Sequence, residues 1–403
     1  MALQIIEGWG DLGDDARGAA IAFGEFDGVH LGHRAVIALA AKAARELDAP
    51  LGVISFEPHP RRWFTPDAEP FALTTRNQQA RALEALGADF LYIIPFDEPL
   101  AVMSDEAFAR EVLAVGLGAR HVAAGFDVTF GKDRSGDPEA LRRYGEAFGF
   151  SVSIAPQLGD ADAAKYSSSV VREALKAGNP ERAAEILGRP FAMEGVVVEG
   201  QHLGRTLGFP TANVGAGDYV RPKLGSYATR TRLPDGRLIP GVANFGENPA
   251  TGKVEARLEV HLFDFDEDLY GQTIETELIA FLRPELDFDG LEALTAQIAA
   301  DAKAALRFMH AIASYDWKHA VPEITALAKA REDGIAWMSE DVFRDGATIA
   351  YLHTRDVAKA RAVFDRMAEY VARKPDDLRV RLVAAHIVAA ENAAAKKAPA
   401  ATK

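Results

Sequence analysis

Between residues 19 and 147 short apolar runs alternate with helical patterns four times: 19–23 then 34–47, 51–56 then 76–86, 90–95 then 105–115, and 121–124 then 138–147. Strand followed by helix, repeated, is the pattern of a parallel sheet with crossover helices. In such sheets ligands bind beyond the carboxyl ends of the strands, so chemistry is expected just after Phe23, Phe56 and Ala124. A helical stretch over 168–187 runs into Gly188, Arg189 and Pro190, which sets the first expected boundary at 187/188.

After Phe191 the pattern changes. Apolar segments at 193–198, 226–231, 237–244, 255–264 and 273–282 are divided by Gly, Pro and Asp clusters, as in a small antiparallel barrel. One helix over 291–308 closes this unit. Beyond 309 only helical patterns remain, at 321–331, 341–352, 357–372 and 378–395. Two helical hairpins fit them, and 356–388 faintly resembles a tetratricopeptide-like hairpin, with two such units at most. The Ala-, Lys- and Pro-rich end from Glu391 is expected to fray. The expected architecture is therefore an α/β domain over 1–187, a β-barrel domain over 188–308 and an all-α extension over 309–403. An alternative reading, from another function class, makes that extension a module for a partner protein or for self-association.

A chain of 403 residues has room for two or three such domains. Its net charge of -14 argues against binding nucleic acid through a general basic surface. Anionic ligands would have to be held by local devices instead: glycine loops, helix N-termini and single Arg or Lys residues. With no cysteine, disulfides, thiolate catalysis and Cys-ligated zinc are excluded. The first residues lack a basic segment followed by an apolar one, and no run approaches the ~18 apolar residues of a membrane span, so a cytoplasmic protein without membrane contact is expected.

Two glycine patterns are decoys. Gly8-Trp9-Gly10-Asp11-Leu12-Gly13 matches G-x-G-x-x-G, but the next element is a strand rather than an amphipathic helix, so it reads as a turn. The segment 125–132 superficially resembles a phosphate loop. Five residues rather than four separate Gly125 from Gly131, and Asp133 stands where Ser or Thr would ligate magnesium.

The strongest local signal is Gly24-Glu25-Phe26-Asp27-Gly28-Val29-His30-Leu31-Gly32-His33, between the first strand and the first long helix. Glycines allow close backbone approach, and a helix start offers free N–H groups and partial positive charge. His30 and His33 would then donate hydrogen bonds to a phosphate as charge builds on it. The competing reading is that the histidines merely cap the helix.

This string resembles the nucleotidyltransferase signature of bacterial bifunctional riboflavin kinase/FAD synthetases. Three further strings match that family: Phe56-Glu57-Pro58-His59-Pro60, Gly125-Phe126-Asp127-Val128-Thr129-Phe130-Gly131, and Ser167-Ser168-Ser169-Val170-Val171-Arg172. The resemblance implies a Rossmann-like nucleotidyltransferase domain that joins FMN to ATP, giving FAD and pyrophosphate. It places Gly24, Phe26, Gly28, Gly32, Ser168 and Ser169 around ATP, and Pro58, His59, Pro60, Asp127 and Phe130 around the flavin. His30, His33 and Arg172 would be the catalytic residues. The nucleophile is already an anion, so positioning and charge stabilisation suffice. Glu25 departs from the Asn or small apolar residue common in the family, Asp127 stands where Asn is frequent, and Val170 replaces a common Arg. The two added carboxylates motivate an alternative: a kinase whose first domain is a degenerate flavin- or nucleotide-binding module.

A second constellation runs from Gly195-Val196-Val197-Val198-Glu199-Gly200 into Gly204-Arg205-Thr206-Leu207-Gly208-Phe209-Pro210-Thr211-Ala212-Asn213. Such a loop can wrap phosphates, and Thr211 and Asn213 offer the hard oxygens magnesium prefers. By spacing alone it is equally a β-turn in a barrel. Its P-T-A-N string resembles riboflavin kinases, and further strings follow that family in order from Gly225-Ser226-Tyr227 to Phe281-Leu282-Arg283-Pro284-Glu285. The resemblance covers roughly residues 19–308. It implies ATP at Gly200, Gly204, Arg205, Gly208 and Thr211, magnesium at Thr211 and Asn213, flavin at Arg283, and Glu259 as the base that deprotonates riboflavin. Without the resemblance, Glu259 reads as a cross-strand ion-pairing residue. Ala250 stands where Thr commonly follows the Pro.

Overall fold

The computed structural model of the chain describes residues 2–157, 165–200, 204, 207–248, 255–286 and 288–314. The described residues form two compact units. The first holds the chain up to Lys176 with Ala183–Glu194 and Gly217–Arg221; the second holds Ala177–Arg182, Gly195–Ala216 and the chain from Pro222.

In the first unit six strands, β1 (Gln4–Glu7), β2 (Ala20–Phe23), β3 (Leu51–Glu57), β4 (Phe90–Pro95), β5 (His121–Gly125) and β6 (Ser151–Ala155), form a parallel sheet in the order β1-β4-β3-β2-β5-β6. The helices between and after them are α1 (Leu31–Leu47), α2 (Pro60–Phe64), α3 (Arg76–Glu84), α4 (Glu98–Ala101), α5 (Asp105–Ala107), α6 (Pro138–Phe148), α7 (Ser168–Ala177) and α8 (Pro180–Leu187). All four residues of β2 are buried, Ile21 and Phe23 in the core on one face and Ala20 and Ala22 in the core on the other. A strand covered on both faces has to read as a continuous apolar run.

The chain winds from β2 through β3 to β4 on one side and then restarts at β5 on the other side of β2. That reversal is where a doubly wound sheet opens a crevice beyond its strand ends. The segments after Phe23 and Gly125 both begin there.

The expected strands are present, with two more at the edges. In β1 only Ile6 is buried, and β6 alternates serine with apolar residues, so neither announces itself as an apolar run. The helical pattern at 105–115 starts as α5 and continues as a π-helix, Phe108–Gly116, whose wider turn sets Phe108, Ala109, Val112 and Leu113 against the core. The stretch 168–187 is two helices, because Gly178 takes a left-handed φ of +78° after α7 and Pro180 begins α8.

The second unit contains a closed barrel of six strands: β7 (Phe191–Val198), β8 (Ala212–Gly215), β9 (Gly225–Arg232), β10 (Leu238–Asn248), β11 (Glu255–Leu262) and β12 (Thr273–Pro284), in the order β10-β11-β8-β7-β12-β9. The pairs β9–β10, β10–β11, β11–β8, β8–β7 and β9–β12 are antiparallel. Strand β8 corrects the reading of Thr211 to Asn213 as the end of a loop. Asn213 stands in a strand, paired in register with Glu259. A final helix, Leu291–Ser314, runs past the expected end at 308 and brings Ala305 into a core with Ala228, Val242, Phe263 and Ala280. The remaining extension, 315–403, with the expected hairpins and interaction role, lies outside the described residues.

Candidate active sites

The loop between β2 and α1 is held in an unusual conformation. Val29 has φ +43°, rare for a β-branched residue, and Gly28 has φ +86°. A Cβ at Gly28 would also fall 2.9 Å from Leu73 Cδ1 and 3.2 Å from Leu73 Cβ, so the positive φ and the close packing together favour glycine. Strain of this kind persists where the surroundings over-determine it. Here the chief determinant is Asp27. Its carboxylate accepts from Leu73 N (2.9 Å), Thr74 N (3.1 Å) and Thr74 Oγ1 (3.2 Å), and pairs with Arg172 Nη2 at 2.6 Å. Its carbonyl accepts from Ser168 Oγ at 2.9 Å.

His30 caps α1: its Nδ1 accepts the His33 N–H at 3.2 Å. The capping reading is therefore correct, and it does not exclude function. A neutral ring whose Nδ1 accepts carries its proton on Nε2, which leaves one fixed N–H donor. The His30 and His33 rings stack with centroids 3.5 Å apart, and Phe26 meets His33 edge-on at 5.1 Å. Burial, with the charges of Lys165 and Arg172, lowers the His30 pKa to about 4. Burial, His30 and Arg172 hold His33 well below its usual range. Both rings are neutral donors near pH 7. His33 Nδ1 is buried without a hydrogen-bond partner.

The remaining residues expected here divide by what they touch. Arg172 is spent on Asp27 and on the Phe71 carbonyl, which accepts from its Nε at 2.7 Å. Ser169 is exposed on the first turn of α7, beside Ser168. Gly32 lies between the histidines, where a Cβ would sit 3.0 Å from His30 Cε1, and Gly24 lies against Phe26. His59, between Pro58 and Pro60, caps α2 with Nδ1 accepting from Arg61 N at 3.0 Å. Its Nε2 lies 3.4 Å from Glu25 Oε2, and its ring meets Phe71 edge-on at 4.9 Å. Phe130 is a core residue, 5.7 Å from Phe23 and 5.9 Å from Phe108, so it backs this region from inside.

The two departing carboxylates are both compensated. Burial and the nearby Asp27 push the Glu25 pKa up to about 8, so it is mostly a neutral acid at pH 7, and burial lowers that of His59 to about 4. Their contact joins two neutral groups. Asp127 forms an ion pair with Lys165, whose Nζ lies 5.0 Å over the Phe126 ring. Asp127 thus has a counter-ion in Lys165, and Glu25 is shifted toward its neutral form. Asp27 and Lys165 are the residues that sequence reasoning passed over. Asp27 lay inside the quoted motif, whereas Lys165 carried no signal.

In the barrel, Gly200, Gly204, Thr211, Asn213 and Glu259 line one cavity of about 690 Å³. The register pair Asn213–Glu259 sets its floor. A Cβ at Gly200 would lie 2.5 Å from Asn213 Nδ2, so this glycine is what lets the loop close over the strand. Burial raises the Glu259 pKa, with Arg257 opposing. Among the described residues no cluster of three or more His, Cys, Asp or Glu is arranged for a metal. The oxygens of Thr211 and Asn213 instead fit magnesium, which takes most of its ligands from nucleotide phosphates and water. Gly208 has φ +84° in the turn before Phe209. Arg283 is not among the lining residues; its guanidinium grips Asp301 with Nε and Nη2 at 2.7–3.0 Å. Arg205 lies outside the described residues.

Comparison with known proteins matches residues 13–170 to the FAD synthetase family and residues 187–309 to the riboflavin kinase family. Bifunctional riboflavin kinase/FMN adenylyltransferases are 40% identical in Pseudomonas fluorescens, over 75% of this chain and 97% of theirs, and 38% identical in Escherichia coli K12, over 72% and 93%. The Haemophilus influenzae relative is 35% identical over 76% of this chain and 100% of its own. A solved structure described as a macrolide-efflux protein from Streptococcus pneumoniae superposes with a TM-score of 0.67 at 30% identity, covering 76% of this chain and 99% of that one. With a catalytic domain of each kind and relatives matched over nearly their whole length, the chain belongs to the bifunctional riboflavin kinase/FMN adenylyltransferase family.

Proposed function

We propose that the chain converts riboflavin to FMN in its barrel and FMN to FAD at the α1 loop, using ATP in both steps. The observation that supports this most is the shared cavity of Glu259, Thr211 and Asn213, which joins a base to oxygens suited to a metal-bound nucleotide. In the first reaction Glu259 takes the proton of the riboflavin hydroxyl as its oxygen attacks the γ-phosphorus, and ADP leaves. Magnesium, held by Thr211 and Asn213, would neutralise charge on the phosphates. In the second, an FMN phosphate oxygen attacks the α-phosphorus and pyrophosphate leaves. His30 Nε2–H and His33 donate to the oxygens that gain charge, while Arg172 acts through Asp27 by fixing the loop. Among the described residues no helix is long and apolar enough to cross a membrane. The kinase-only alternative is not favoured: both catalytic families match the chain, Glu25 is shifted toward its neutral form and Asp127 is paired with Lys165.

Incubation with riboflavin, ATP and magnesium, followed by chromatography of the flavins, is expected to show FMN first and FAD after it. FMN accumulating without FAD would overturn the second half, and unchanged riboflavin the whole reading.

Glu25 adds a pH signature. Its raised pKa keeps the neutral form up to about pH 8, above which a carboxylate faces the phosphates. FAD formation from FMN is expected to fall by about tenfold per pH unit above that point. Glu25→Gln should flatten this limb without altering FMN formation. Identical profiles in the two proteins would refute the assignment.

A further inference from the structure

Six consecutive residues of the loop between β11 and β12, 265–270, line the barrel cavity. The far end of this loop is fixed by backbone bonds: Gly271 N donates to Val197 O at 3.0 Å, and Val197 N to Gln272 O at 2.9 Å. Its near half is held by a side chain from another element. Arg237, in the turn between β9 and β10, donates from Nη1 and Nη2 to the two oxygens of Glu267 at 2.7 and 2.8 Å. Its Nε donates to Asp235 Oδ2 at 2.6 Å, and its guanidinium lies 5.8 Å over the Phe265 ring.

An isolated exposed ion pair is worth little. This one differs in geometry, because a planar fork meets a carboxylate through two parallel bonds while a second carboxylate fixes the same guanidinium. It also has an electrostatic task. Asp266, Glu267 and Asp268 put three carboxylates in the wall of a cavity that, on the reading above, receives a triphosphate. Arg237, shared between Glu267 and Asp235, offsets part of that charge. Phe265, Leu269 and Tyr270 in the same loop supply the apolar surface on which a flat base rests.

We propose that Arg237 is a positioning residue for ATP in the barrel site, holding loop 265–270 in the cavity wall and offsetting part of the negative charge there. This rests on the barrel's being the phosphorylation site. Arg237→Ala is expected to raise the KM for ATP in FMN formation about fivefold, with kcat within about twofold. Arg237→Lys, which keeps the charge and loses the fork, should fall between. The exchange Arg237→Glu with Glu267→Arg should restore most of the loss. Added salt should raise the wild-type KM, by weakening the Arg237–Glu267 pair, and should not raise that of Arg237→Ala. FAD formation from added FMN should be unchanged in every variant, which reports that the protein is folded. An unchanged KM for ATP, a rise confined to riboflavin, or a loss of kcat without a change in KM would each overturn the proposal. If the wild-type protein made no FMN, the phosphorylation reading itself would fail instead.

Discussion

Replacing Glu259 with glutamine is expected to slow FMN formation by about 10²- to 10⁴-fold while FAD formation from supplied FMN continues. A primary hydroxyl is a poor nucleophile and needs its proton removed as it attacks. Glu259 is placed for that task by strand pairing: it stands in register with Asn213 and projects into the cavity that Thr211 also lines. Desolvation raises its pKa and makes the carboxylate a stronger base than one in water. Glutamine keeps the size and a hydrogen-bonding oxygen but cannot take the proton, so the comparison isolates basicity from packing. The acid limb of the pH profile follows with a definite sign. The wild-type rate should fall as pH drops through the raised pKa of Glu259, and the variant should show no such limb. A loss smaller than threefold would remove Glu259 from the mechanism.

The second large effect is expected at His30. His30→Ala should cut FAD formation by about 10²- to 10³-fold and spare FMN formation, since one preorganised donor to developing charge contributes about 2.7–4 kcal/mol. Alanine also removes the cap that His30 Nδ1 supplies to His33 N, a loss of about 1 kcal/mol. His30→Ser separates the two effects: serine restores an N-cap acceptor without the Nε2–H. Both variants should lose adenylylation equally, and since both delete the buried ring, alanine should lower the melting temperature further than serine. Retained FAD formation in the serine variant would mean that the ring acts only as a cap.

Much of this was legible in the chain. The buried strands β2, β3, β4 and β5 are apolar runs because both faces of a parallel sheet are covered, and that requirement is written residue by residue. The edges were not legible. Strand β1 buries only Ile6 and β6 alternates serine with apolar residues, and within the barrel the short β8 hides at the end of a glycine-punctuated string. A strand defined by its neighbours more than by its own side chains leaves little periodicity to read.

The sequence by itself determined the two fold types, because apolar runs and glycine-dependent turns are local constraints, and its resemblance to a family pointed to the segments in which the site residues lie. Only the tertiary structure decided the ionisation of those residues and who holds them. Glu25 looks like an extra negative charge until burial and Asp27 are seen to keep its proton on. Arg172 looks like a free cation until it is found on Asp27, 145 residues away in the chain. The physical reason is one of range. Backbone preference is set by a residue and its neighbours, whereas desolvation and charge pairing are set by whatever folding brings within a few ångströms.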